Sequence, residues 1–185
     1  MIKVIPKKNK IAAEIICDVK NLKSTEIKKI KSVLNNCGII YFRNQNLSSG
    51  NYLNFAKKLG IPADYPRLKG LNPRYSKITV VERKATDKGP SFGEQFHTDS
   101  IYTKKPPRFT MLLSKLVPRK GQANTEFSSQ YLAYKNLPLN VKKKLKNLKA
   151  IYSSEGPISV TLQERTKEKG KQKNELISKH KIIKK

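Results

Sequence analysis

The stretch "EQFHTDS", residues 94–100, holds His97 and Asp99 with one residue between them, and the chain has only two histidines, His97 and His180. On an extended backbone residues i and i+2 point to the same side. His97 and Asp99 can therefore converge on one point while Thr98 faces away. A neutral imidazole and a carboxylate, joined by a second imidazole, make the facial triad of non-haem Fe(II) oxygenases. The spacing alone leaves a local hydrogen bond, two solvated loop residues and a metal site all open.

Composition narrows the frame around that stretch. The chain has 185 residues, enough for one domain with a core, and 37% of them are apolar. Eight Tyr and six Phe, spread through the first 152 residues, favour a folded body. The formal charge is +27. Lysines outnumber arginines 33 to 7 and are scattered along the chain, whereas bidentate phosphate and base contacts favour Arg. The expectation is a solvated basic exterior with weak, salt-sensitive adhesion to polyanions and no specific nucleic-acid surface. Cys17 and Cys37 are isolated, with no CxxC spacing, which argues against a zinc knuckle. The N-terminus lacks an apolar signal core, and no run of 18 apolar residues occurs. The expectation is a cytoplasmic protein with free thiols and no membrane association.

Upstream of the stretch, residues 11–17 read as a strand and "NLKSTEIKKIKSVLNNCG" as a helix, with Ser24 or Thr25 as its cap and Gly38 at its end. "IIYFRNQ" (39–45) is a strand signal. "SSGNYLNFAKKLG" is a second helix with Tyr52, Phe55, Ala56 and Leu59 on its buried face. Residues 61–77 read as loop, and "KITVVER" (77–83) and "RFTMLLSKLVP" (108–118) as strands. "SSQYLAYKNLP" and "LNVKKKLKNLKAIY" predict two short helices. From residue 153 the sequence turns charge-rich and aperiodic and predicts a basic, mobile tail, residues 153–185. Neither GxGxxG nor GxxxxGK[ST] occurs, which removes the common nucleotide cradles. The pattern is that of an α+β or mainly β body with helices packed on it.

Around His97 and Asp99 several further pieces follow in order. Phe96 precedes His97-Thr98-Asp99; then come Pro106-Pro107, the run "FTMLLSKLVP", Gly121, Asn124-Thr125 and "QYLAYKNLP". With "AEIICDVKNL", "GIIYFRNQNLS" and "FAKKLG" upstream, this order resembles the taurine dioxygenase (TauD/TfdA) family of Fe(II)- and 2-oxoglutarate-dependent oxygenases. The resemblance covers roughly residues 9–152 and makes them the N-terminal part of such a domain.

The resemblance implies a double-stranded β-helix (jelly roll) with flanking helices, incomplete at the C-terminus of this sequence. It implies His97 and Asp99 as two of three iron ligands. Thr125 would match the threonine that hydrogen-bonds a 2-oxoglutarate carboxylate, a role suited to a hydroxyl donor. The family has Gly-Gly before the Asn/Asp-Thr pair, whereas this chain has "GQANT", one residue longer and one glycine short. The implied reaction splits dioxygen. One oxygen atom goes to succinate as 2-oxoglutarate loses CO2, and the other goes to a hydroxylated small organic substrate such as a sulfonate or carboxylate.

The family's third ligand and its cosubstrate arginine have no match here. His180, in "ISKHKIIKK", resembles a different, mid-chain histidine, and Arg165 precedes it, the wrong order for that arginine. The expectation is a truncated dioxygenase domain that by itself binds Fe(II) weakly and turns over no 2-oxoglutarate, with a homo-oligomer one option open to the full-length protein. Two further readings stand beside it: a non-catalytic basic module adhering to nucleic acid or anionic surfaces, and a structural zinc held by His97 and Asp99. Glu94, Gln95, Ser100 and Tyr102 flank the pair and are candidate pocket residues. The resembling taurine enzyme has an asparagine at the position of Gly93, which puts taurine itself in doubt.

Overall fold

The computed structural model describes residues 2–8, 11–66, 68–88, 91–154 and 175–184. It divides into two compact units, Met1–Asp64 with Asn72–Ile78, and Tyr65–Leu71 with Thr79–Lys185.

The first unit is a three-stranded sheet with two helices. Strand β1 (Lys3–Pro6) pairs antiparallel with β2 (Ala12–Ile16), and β2 pairs in parallel with β3 (Ile39–Tyr41). The parallel pair needs a crossover. Helix α1 (Ser24–Cys37) supplies it and packs on β2 and β3. Its inward face carries Ile27 and Ile30, buried like Ala13 and Ile15 of β2. Helix α2 (Ser49–Leu59) adds Phe55, whose ring meets that of Phe42 edge-on at 5.5 Å.

The helix ends show why these segments fold as they do. Helix α1 is capped by Lys23 rather than by the expected Ser24 or Thr25. Its first-turn Glu26 accepts a hydrogen bond from the Lys23 backbone N–H at 3.0 Å, which holds the Glu26 carboxyl below the usual range. Gly38 closes the helix at φ 80°, a left-handed position that glycine occupies without strain. The expected strand over residues 39–45 stops at Tyr41. Asn44 turns into the left-handed region at φ 56°, and the Gln45 side chain bonds the backbone of Cys17, Val19 and Arg43 in place of a ladder. Strand β1 has no counterpart in the sequence reading.

The second unit has a different interior. Among the described residues every buried apolar side chain lies in the first unit, and the buried residues of the second are Ser100, Ser154 and Ser178. Helices α3 (Gln130–Asn136) and α4 (Leu139–Leu145) match the two expected short helices. The second ends earlier than its pattern suggests, because residues 149–153 enter a sheet: β4 (Lys149–Ser153) pairs antiparallel with β5 (Ile177–Lys181).

Two strand expectations fail in this unit. Among the described residues the ladders run through neither residues 79–83 nor 108–118, and Leu112 and Leu116 stand 75% and 95% exposed. An apolar, β-prone run becomes a strand only where a neighbour takes up its backbone hydrogen bonds. The tail expectation is also corrected in part. Residues 177–181 form β5, whereas residues 155–174, with Arg165, lie outside the described residues. The described residues are thus an α+β arrangement of two small sheets and four α-helices. Among them no helix is long and apolar enough to cross a membrane.

Candidate metal centre

The loop before His97 is shaped by a short turn. The Glu94 carboxylate accepts from the Ser91 backbone N–H at 2.7 Å, and the Glu94 N–H donates to the Ser91 carbonyl at 3.3 Å. Gly93 sits inside this turn at φ 73°. A Cβ built there would come within 3.1 Å of His97 Cε1. Glycine suits the backbone conformation, and its lack of a side chain allows the close approach of the imidazole.

His97 and Asp99 do meet. His97 Nε2 lies 3.2 Å from Asp99 Oδ1, with the side chains 49% and 32% exposed. The other ring nitrogen, Nδ1, lies 2.6 Å from the Gln95 carbonyl. A carbonyl can only accept, so Nδ1 carries the proton. In the neutral ring Nε2 then presents a lone pair toward a carboxylate oxygen, which is also an acceptor. Two acceptors at this separation repel unless a cation lies with them, either a proton on Nε2 or a metal ion.

The donor set fits a metal. Two donors bound at right angles to one ion, each at about 2.1 Å, lie about 3 Å apart. A backbone carbonyl that fixes the tautomer of a ligating histidine is the usual supporting contact in such centres. The imidazole and carboxylate pair suits Fe(II) as well as Zn(II). Among the described residues no group of three or more His, Cys, Asp and Glu side chains converges.

Directly after Asp99 the chain turns sharply. Ser100 is buried and adopts φ 48°, a left-handed conformation that costs a non-glycine residue about 1–2 kcal/mol. Its carbonyl accepts from both the backbone N–H and the hydroxyl of Thr103, at 3.0 and 2.8 Å. Strand β5 braces the same turn. Ser178 Oγ donates to the Ile101 carbonyl at 2.9 Å, and His180 Nε2 lies 3.0 Å from the Thr103 carbonyl and 2.8 Å from Ser178 Oγ. His180 is therefore occupied in a backbone-binding role, with Tyr152 of β4 beside it at 5.9 Å between ring centroids.

The roles of Gln95, Gly93, Ser178 and His180 escaped the sequence reading. Gln95 acts through its carbonyl, which every residue has. Ser178 and His180 act across 77 residues of sequence. The i, i+2 spacing of Ser178 and His180 matches that of the carbonyls they bind, and this spacing is the one signal the sequence held.

Thr125 is exposed, and no hydrogen bond links it to His97 or Asp99 among the described residues. It follows a strained approach. Gly121 at φ 89° forms the turn in which the Gln122 N–H donates to the Arg119 carbonyl at 3.0 Å, and Ala123 then adopts φ 47°. The left-handed position thus falls on an alanine in the segment where the resembling family has paired glycines.

A family model described as "Taurine catabolism dioxygenase TauD, TfdA family" matches residues 3–184. The chain is similar to the alpha-ketoglutarate-dependent 2,4-dichlorophenoxyacetate dioxygenase of Cupriavidus pinatubonensis, at 29% identity over 145 residues, covering 70% of this chain and 50% of that protein. It is also similar to pentalenolactone F synthase of Streptomyces avermitilis, at 24% identity over 136 residues, covering 70% of this chain and 44% of that protein. The chain spans about half the length of the curated relatives it matches. The crystal structure of a taurine dioxygenase from Burkholderia xenovorans shares the fold with a TM-score of 0.64 at 18% identity, over 97% of this chain and 57% of that one.

Proposed function

The chain belongs to the TauD/TfdA family of dioxygenases, and on that premise we propose that His97 and Asp99 hold Fe(II) for a 2-oxoglutarate-dependent oxygenation. The observation that carries this reading is the 3.2 Å approach of His97 Nε2 to Asp99 Oδ1, with Nδ1 of the ring held at the Gln95 carbonyl. When bound, the iron supplies activation of dioxygen, coupled to conversion of 2-oxoglutarate to succinate and CO2 and to hydroxylation of a small organic substrate.

The protein's own residues have narrower tasks. His97 and Asp99 present one neutral and one anionic donor on the same side of the chain. Gln95 keeps the imidazole proton on Nδ1, away from the metal. Gly93 leaves room for the ring. Thr125 offers a hydroxyl to a carboxylate of 2-oxoglutarate, as the family resemblance implies. The body around the site is a jelly roll with flanking helices, of which residues 1–152 form the N-terminal part. The substrate is a small anionic compound, a sulfonate or carboxylate. The family match does not favour the reading as a non-catalytic basic module, and the charge of +27 is then that of a solvated exterior.

The experiment is an anaerobic titration of the purified chain with Fe(II) and 2-oxoglutarate, followed by visible absorption. A weak charge-transfer band that disappears in His97→Ala and in Asp99→Ala is expected. A band that persists unchanged in both variants would sink the assignment.

A further inference from the structure

Strand β5 alternates in a particular way. Ile177, Lys179 and Lys181 face outward, whereas Ser178 is buried and His180 is half-buried on the inner side. Both inner residues are hydrogen-bonding, and no apolar pattern marks the strand. Period-two geometry places their side chains one after the other along one face. Opposite them stand the carbonyls of Ile101 and Thr103, which are also two residues apart.

The proton inventory of this contact is determined. Ser178 Oγ can satisfy the Ile101 carbonyl only by donating. His180 Nε2 approaches a carbonyl and an oxygen whose own proton is already committed, so it carries the hydrogen and shares it between Thr103 and Ser178. Together with the two bonds from Thr103 to the Ser100 carbonyl, four hydrogen bonds hold residues 100–103. A left-handed non-glycine residue persists only where its surroundings over-determine it. Ser100 is such a residue, and it is joined by one peptide bond to Asp99.

We propose that Ser178 and His180 are positioning residues for Asp99: by clamping the Ile101 and Thr103 carbonyls they hold the turn that aims the Asp99 carboxylate at the metal-binding face of His97. The inference rests on the reading of His97 and Asp99 as a metal pair. It gives the second histidine of the chain a role at the centre without making it a ligand. Loosening the clamp frees Ser100 to leave the left-handed region, and Asp99 then swings out of register with His97.

Anaerobic calorimetric titration of the purified 185-residue chain with Fe(II) tests this. His180→Leu and Ser178→Ala should each weaken Fe(II) binding about tenfold, the effect typical of lost supporting contacts. His180→Gln, whose side-chain amide can donate at the Nε2 position, should recover affinity to within about threefold of the wild type. A purely structural role would lower the thermal midpoint in all three variants without that recovery. Should His180→Leu fail to fold, Ser178→Ala, which keeps the ring, carries the same comparison. Wild-type affinity in Ser178→Ala and His180→Leu, with binding abolished in Asp99→Ala, overturns the positioning role alone. Unchanged binding in Asp99→Ala, or no saturable binding by the wild type, overturns the metal pair and the clamp with it.

Discussion

His97 Nε2 faces Asp99 Oδ1 across 3.2 Å, while Nδ1 of the same ring is held 2.6 Å from the Gln95 carbonyl. The separation belongs to a short aspartate two residues from the histidine, at the start of the Ser100 turn. Asp99→Glu keeps the charge and adds one methylene, which carries the carboxylate past the point that both donors share. Fe(II) affinity should fall by about tenfold or more, while the circular dichroism spectrum stays that of the wild type. Equal affinity in calorimetry would mean that the carboxylate is not a ligand.

Gly93→Ala strikes the same centre from the side. The added Cβ meets His97 Cε1 at 3.1 Å, and the backbone at φ 73° disfavours any side chain. The variant should lose about 1 kcal/mol of stability in a denaturant titration. It should also bind Fe(II) more weakly as the ring is displaced. Retained affinity with lowered stability would confine the role of Gly93 to the turn.

Ala123→Gly should act in the opposite sense. Alanine at φ 47° carries about 1–2 kcal/mol of strain. Glycine removes it at an unfolded-state entropy cost of about 0.5–1 kcal/mol. A net gain of roughly 0.5 kcal/mol is expected as a higher denaturant midpoint with an unchanged slope. A lower midpoint would show that contacts of the methyl group outweigh the strain.

Tyr52 on α2 supplies a pH signature for the first unit. Burial pushes its hydroxyl up to about 12. The folded state therefore holds the proton where the unfolded state, near the ordinary value of about 10, releases it. Its contribution is fully present below pH of about 10 and is lost as pH rises toward about 12. Since the side chain is partly exposed, the loss should be on the order of 1 kcal/mol. Tyr52→Phe should remove this part of the alkaline decline, and identical decline in the variant and the wild type would count against it.

Local signals in the sequence were read correctly where local forces decide. The face of α1 through Ile27 and Ile30, the glycine after Cys37, helix α2 and the approach of His97 to Asp99 follow from periodicity, the left-handed stop and the i, i+2 spacing. Errors arose where a partner decides. Residues 79–83 and 108–118 have β-prone composition but no ladder in the described structure. β5 carries a polar inner face and a lysine-rich outer one, and only its pairing with β4 distinguishes it from a solvated tail.

The sequence by itself determined that an imidazole and a carboxylate stand one residue apart at His97 and Asp99, because residue type and i, i+2 spacing are covalent facts. The tertiary structure alone decided the bonds from Ser178 to the Ile101 carbonyl and from His180 to the Thr103 carbonyl, each across 77 residues of sequence. Each of these depends on which backbone carbonyl lies within hydrogen-bond reach. All residues carry a carbonyl, so side-chain pattern does not encode that choice, and it is settled only when distant segments pack.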